Sequence, residues 1–197
     1  MHRLLRTLST GLLSVALHTP AHAEDPARVP TDKITKSGHY LTALEAAEML
    51  RDSGVIFLDV RSRAEVAFLG IPERVNVHIP YLMLPAPANY DPTRLSYPMV
   101  FNPDFEIAFL DYADAAMIED DTPIVVMCRS GTRSAKAADA LFDLGYSNVY
   151  SIVDGYEGDL ATDGPERGHP VVNGWKNAGL QWSYGISPGQ AYPEDLH

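Results

Sequence analysis

The stretch VVMCRSGTRSAKAADAL, Val125 to Leu141, decides how the chain is read. Apolar, mostly β-branched residues from Pro123 to Met127 are too few for a typical helix and suit a buried strand. Small and basic residues follow Cys128. A helical pattern then runs from Thr132 to Leu144 and closes on Gly145. The chain's single cysteine therefore stands at the carboxyl end of a strand, just before a helix N-terminus. Ligands of α/β sheets sit beyond strand ends of this kind.

The loop has a physical logic of its own. Gly131 permits backbone angles closed to other residues. The start of the helix offers N–H groups without intrahelical partners, and curled around a sulfur they make a cradle for negative charge. Arg129, Arg133 and Lys136 add positive charge. The combination favours thiolate over thiol, and the thiolate is the nucleophile. An isolated cysteine is more often a small buried hydrophobe; the neighbours of Cys128 argue for chemistry.

Further out, the helix and strand signals alternate. Thr42 with Glu45, and Ser62 with Glu65, form capping boxes that open two helices, one ending before Gly54 and the other near Gly70. Val55 to Val60 reads as a buried strand with Asp59 near its end, and Val75 to Ile79 as a short one. Residues 80–103, rich in proline and aromatics, read as an insertion loop with little regular structure. Asn102-Pro103 predicts an N-cap and first helical residue, with the helix reaching about Ile118. Val149 to Ile152 is a further strand and Asp154-Gly155 a turn. The order predicts an α/β fold, a mainly parallel central sheet flanked by helices. From Ala161 no periodicity remains; residues 161–197 are expected to pack across the body through Trp175, Trp182 and Tyr184.

The first 23 residues stand apart. Arg3 and Arg6 precede an apolar run from Leu8 to Leu17, which ends on Ala21-His22-Ala23. That order is a secretory signal peptide with cleavage after Ala23, and it predicts a periplasmic location. Residues 24–40 form a polar extension, expected to be loosely packed, ahead of a domain spanning 41–160. The formal charge is −11, and losing Arg3 and Arg6 makes it −13. An acidic surface argues against nucleic acid as partner. No apolar run reaches membrane-spanning length. No metal-ligand spacing or glycine-rich nucleotide fingerprint is present, so neither metal nor cofactor is expected. None of the seven histidines makes a Cys–His protease pattern. Met83, Met99 and Met117 are read as packing residues.

Three segments, in order, resemble the rhodanese family of sulfurtransferases: FLDVRSRAEV, the loop CRSGTRS, and GYSNVYSIVDGYEG. The likeness covers roughly residues 40–160. It implies a rhodanese-like three-layer fold and a sulfur-transfer reaction. In that reaction Cys128 takes a sulfane sulfur from a small anionic donor such as thiosulfate. The resulting persulfide then passes its sulfur to a thiophilic acceptor or partner protein. The loop residues Arg129, Ser130, Gly131, Thr132, Arg133 and Ser134 would surround that sulfur. Arg133 would order the loop carbonyls, and Asp59 and Arg61 would support the loop from the next strand. The implied alternative is a slow sulfur carrier or sensor that docks a partner through residues 80–103. Related phosphatases use a loop one residue longer; four residues separate Cys128 from Arg133 here, which suits a sulfur atom better than phosphate. Two places depart from the family pattern. Leu69-Gly70-Ile71-Pro72 lacks the usual histidine, and Asp154-Gly155-Tyr156 replaces Gly-Gly-Trp.

Overall fold

A computed structural model describes residues 29–196. The expected signal peptide lies outside them. Strand β1 (Tyr40–Leu41) leads into helix α1 (Ala43–Met49), then β2 (Ile56–Asp59) and α2 (Arg63–Leu69). Three short strands follow, β3 (Ile71–Pro72), β4 (Val77–His78) and β5 (Leu82–Met83). After the insertion come β6 (Val100–Phe101) and α3 (Phe105–Ala116). The chain then forms β7 (Ile124–Met127), α4 (Thr132–Asp143), β8 (Val149–Ile152) and, in the tail, β9 (Trp182–Ser183).

Five strands make the central sheet in the order β1-β8-β7-β2-β4, every pair parallel. Successive side chains on a strand face opposite sides, so each strand serves two cores. Leu58, Val60, Ile124 and Val126 pack against Phe105 and Phe109 of α3 and Ala137, Ala138 and Leu141 of α4. Phe57, Val125 and Met127 pack against Ala46 of α1, Val66 of α2 and Trp175 of the tail. Helices on both faces make three layers, the α/β arrangement that the alternation of elements implied. Both capping boxes form: Thr42 and Ser62 each accept from the N–H three residues on, and Glu45 and Glu65 reach back.

Three local expectations change. The described part of the 24–40 extension is anchored at points rather than loose: Lys33, Thr35 and Tyr40 are buried among exposed neighbours, and β1 pairs with the edge of β8. Asn102 is not the cap of α3, whose N-cap is Asp104. The Asn102 amide is committed to the insertion instead, donating to the Pro80 carbonyl at 2.8 Å while its oxygen accepts from the Asp104 N–H. The helix stops at Ala116 because Met117 turns left-handed at φ +54°. The insertion is closed at its base by the antiparallel pair β5–β6. In the tail, Trp175 is buried and Trp182 pairs β9 against β3, but Tyr184 is 67% exposed. Among the described residues no helix is long and apolar enough to cross a membrane.

Candidate active site

Cys128 follows β7 directly, and its side chain is fully buried against the α3–α4 layer. The chain turns sharply at Gly131, at φ +101°. A Cβ there would come within 2.2 Å of the Val153 carbonyl oxygen, so only glycine fits without a shift. The turn aims the Gly131 N–H at the sulfur, 3.1 Å away. The N–H groups of Thr132, Arg133 and Ser134 begin α4 and have no acceptor within it.

A buried hydroxyl pair backs the sulfur. The Cys128 thiol donates to Ser134 Oγ at 3.6 Å, and Ser151 on β8 donates to the same oxygen at 3.1 Å. The Ser134 hydroxyl donates to the Gly131 carbonyl at 2.7 Å, which ties the loop to the first turn of α4. Loop carbonyls are held from the far side: the Tyr156 N–H donates to the Cys128 oxygen at 2.8 Å and the Glu157 N–H to the Arg129 oxygen at 2.9 Å.

Arg133 departs from its expected role. Its guanidinium reaches out of the loop to Glu65 on α2, at 2.7 and 2.5 Å, and the Cys128 and Arg129 carbonyls accept instead from the Tyr156 and Glu157 N–H groups. A bidentate pair with a carboxylate satisfies that fork better than single carbonyls do. Burial raises the Glu65 carboxyl, but the Arg133 bonds and charge and the Ser62 N–H outweigh it and hold the group at about 2. Glu65 thus closes the α2 capping box and anchors the cysteine loop at once. Arg129 is exposed and lies 3.8 Å from Glu157. Thr132 donates to Asp32 at 2.9 Å, and Ser130 faces an open cleft beside the loop.

Asp59 and Arg61 are both fully buried and bonded to each other. The Asp59 oxygens accept from the Arg61 backbone N–H and from its guanidinium. Arg61 also donates to the Gly70 carbonyl at 2.9 Å and stacks 3.8 Å from the centre of the Tyr156 ring. Since the Tyr156 N–H holds the Cys128 carbonyl, the pair reaches the loop through one intermediary. Neither side chain hydrogen-bonds the sulfur directly. Lys136 points to solvent; the lysine beside the loop is Lys33, which donates to the Val153 carbonyl at 2.8 Å and pairs with Asp159 at 3.2 Å. Nothing in the sequence marks Lys33 or Ser151 as loop partners, and Tyr156 stands out there only as a departure from the family pattern, because each reaches the loop through a long-range fold contact. Glu65 was visible only as a helix cap.

The open cleft, of about 540 Å³, is lined by Arg129, Ser130 and Thr132 from the loop, Asp32 and Lys33 from the N-terminal segment, and Glu157 to Leu160. The insertion reaches the other flank, where Met99 Sδ lies 3.9 Å from Arg133 Nη1. Among the described residues no group of three or more metal-ligating side chains converges. A buried sulfur receiving an N–H, in a loop braced by hydroxyls and carboxylate–arginine pairs, can hold a sulfur nucleophile in one position.

Residues 42–161 match the rhodanese-like domain family. The chain is 31% identical over 147 residues to an uncharacterized protein of Rickettsia rickettsii, covering 73% of this chain and 96% of that one. It is 34% identical over 70 residues to the thiosulfate sulfurtransferase GlpE of Actinobacillus succinogenes, covering 34% of this chain and 49% of that one. Among solved structures, Rv0390 from M. tuberculosis superimposes with a TM-score of 0.54 at 28% identity, over 74% of this chain and 97% of that one.

Proposed function

Because the chain belongs to the rhodanese-like domain family, we propose that it transfers a sulfane sulfur, from a donor such as thiosulfate to a thiophilic acceptor, through a persulfide on Cys128. The observation that supports this best is the Gly131 N–H aimed at Cys128 Sγ from 3.1 Å, in a loop that runs straight into the start of α4. Charge that develops on the sulfur, and then on an added sulfur, meets donors already in place. The thiolate attacks the outer sulfur of the donor, the donor's S–S bond breaks, and the leaving group carries off the bonding pair. With thiosulfate that group is sulfite. The acceptor then repeats the displacement on the persulfide and releases the Cys128 thiolate.

Arg133 and Glu65 hold the loop in register, while Asp59 and Arg61 brace it through Tyr156. An exported, periplasmic location belongs to the same proposal, on the strength of the Arg3–Ala23 pattern. Thiocyanate formation from thiosulfate and cyanide tests the activity. The wild-type protein should turn over and Cys128→Ser should not, while keeping its unfolding midpoint; turnover by the serine variant would sink the assignment.

Full burial of Cys128 favours a second reading, a carrier that releases its sulfur only to a docked partner. Residues 80–103, with Leu95 77% and Tyr97 58% exposed, are the docking surface in that case. Stoichiometric loading without turnover by small acceptors distinguishes it.

A further inference from the structure

A second cavity lies between α2 and the C-terminal tail, and Cys128 is not among the residues that line it. Strand β4 ends the central sheet, so its far edge has no strand neighbour among the described residues. The tail takes that place: the His78 N–H donates to the Gln190 carbonyl at 2.8 Å. Arg63 of α2 holds the tail a few residues further on, donating to both oxygens of Asp195 at 2.7 Å. Between these ties a space of about 210 Å³ stays open. Val66, Ala67, Ile186 and Ala191 give it apolar walls, and Tyr184 and Tyr192 line it as well. The two charged residues that reach it, Arg63 and Asp195, are bonded to each other, and the Arg63 guanidinium also lies 4.4 Å from the centre of the Tyr192 ring.

His78 supplies the polar group of this cavity. It lines the space and is only 2% exposed. Its Nε2 lies 2.7 Å from the Arg61 carbonyl oxygen, the one hydrogen bond its ring makes among the described residues. A carbonyl only accepts, so Nε2 carries the proton and donates it. Burial holds the ring below its ordinary range, against the pull of Asp59, so it is neutral at pH 7. In a neutral ring protonated on Nε2, the other nitrogen is a bare acceptor. With Nε2 turned inward to Arg61, Nδ1 is the nitrogen left for the cavity. We propose that the cavity binds a small neutral molecule, apolar apart from one hydroxyl or N–H group that donates to His78 Nδ1. An ion finds no free counter-charge there, since Arg63 and Asp195 neutralise each other. A wholly apolar molecule leaves the Nδ1 acceptor unpaired, which costs affinity. An apolar cavity of about 150 Å³ suffices for benzene, so a phenol-like ring with one small substituent fits the space.

The test titrates the full chain with para-cresol and with para-xylene, which has nearly the same shape and no donor, and follows both by NMR. Para-cresol should bind at least several-fold more tightly, and the His78 Nδ1 resonance should move in the direction of an accepted hydrogen bond. Ala67→Phe, at an exposed position of α2 that lines the cavity, should fill the space and weaken para-cresol binding several-fold. His78→Gln keeps a donor for the Arg61 carbonyl and lacks the second ring nitrogen, so it should erase the preference for para-cresol. If that variant does not fold, the wild-type His78 resonance and Ala67→Phe decide. Equal affinity for the two probes, an unmoved Nδ1 resonance, or para-cresol binding unchanged in Ala67→Phe overturns the inference. So does the absence of binding by either probe up to its solubility.

Discussion

Glu65 and Gly131 carry the sharpest predictions at the scale of single residues. Glu65 is held at about 2 in the folded protein, against an ordinary 4.5. A carboxyl depressed on folding stabilises the protein above its unfolded value, and that contribution fades as pH falls from about 4.5 toward 2. A shift of this size corresponds to ~3 kcal/mol at neutral pH. Glu65→Gln should therefore be less stable than wild type by ~2–3 kcal/mol at pH 7, and the gap should close below pH 4.5. Urea midpoints of the two proteins across that range check it, and parallel acid profiles would contradict it. Gly131→Ala adds both an unfavourable left-handed residue and a clash with the Val153 carbonyl. It should cost on the order of 3 kcal/mol and slow loading of Cys128, because the N–H at 3.1 Å from the sulfur must move.

The helices divide cleanly into faces that matter and faces that do not. Phe109 on α3 is fully buried and meets the Tyr146 ring edge-on at 5.2 Å. Phe109→Ala should cost about 3–5 kcal/mol, whereas Phe68→Ala on α2, at 81% exposure, should fall within about 0.5 kcal/mol; chemical denaturation measures both. Elements were legible where the signal is local. The two capping boxes involve residues three apart, and the strands before Asp59 and Cys128 are unbroken apolar runs. Asn102 misled because its side chain serves the Pro80 carbonyl, a contact across the whole insertion. Strand β1 was missed because two residues carry no period, and its pairing with β8 joins positions more than a hundred residues apart.

At the scale of the chain, the N-terminal segment reaches the cysteine loop itself, while the tail holds the turn behind it, the Trp175 N–H donating to the Gly155 carbonyl. Residues 42–161 match the family, yet Lys33 and Asp32, outside that span, touch the loop region directly. Lys33→Met would leave the Val153 carbonyl without the Lys33 donor, while Asp159 keeps Asn173, and should cost about 1–3 kcal/mol. It should also speed alkylation of Cys128 by iodoacetamide, since the turn at Gly131 loses its support; an unchanged alkylation rate would make Lys33 a surface anchor only. The loop itself was plain in the sequence, as was its place beyond a strand end. Its electrostatics were not, because composition displays arginines and lysines without the carboxylates that folding sets against them. Glu65 lies on α2, and Glu157 and Asp159 lie together in the segment after β8, all distant in sequence from the cations they pair with except Arg129.

The most direct measurement is the intact mass of the purified protein before and after exposure to thiosulfate, then to cyanide. The account predicts a gain of one sulfur atom on Cys128, removed by cyanide as thiocyanate and absent in Cys128→Ser. An unchanged mass after thiosulfate, in folded protein whose Cys128 is demonstrably reduced, would contradict it.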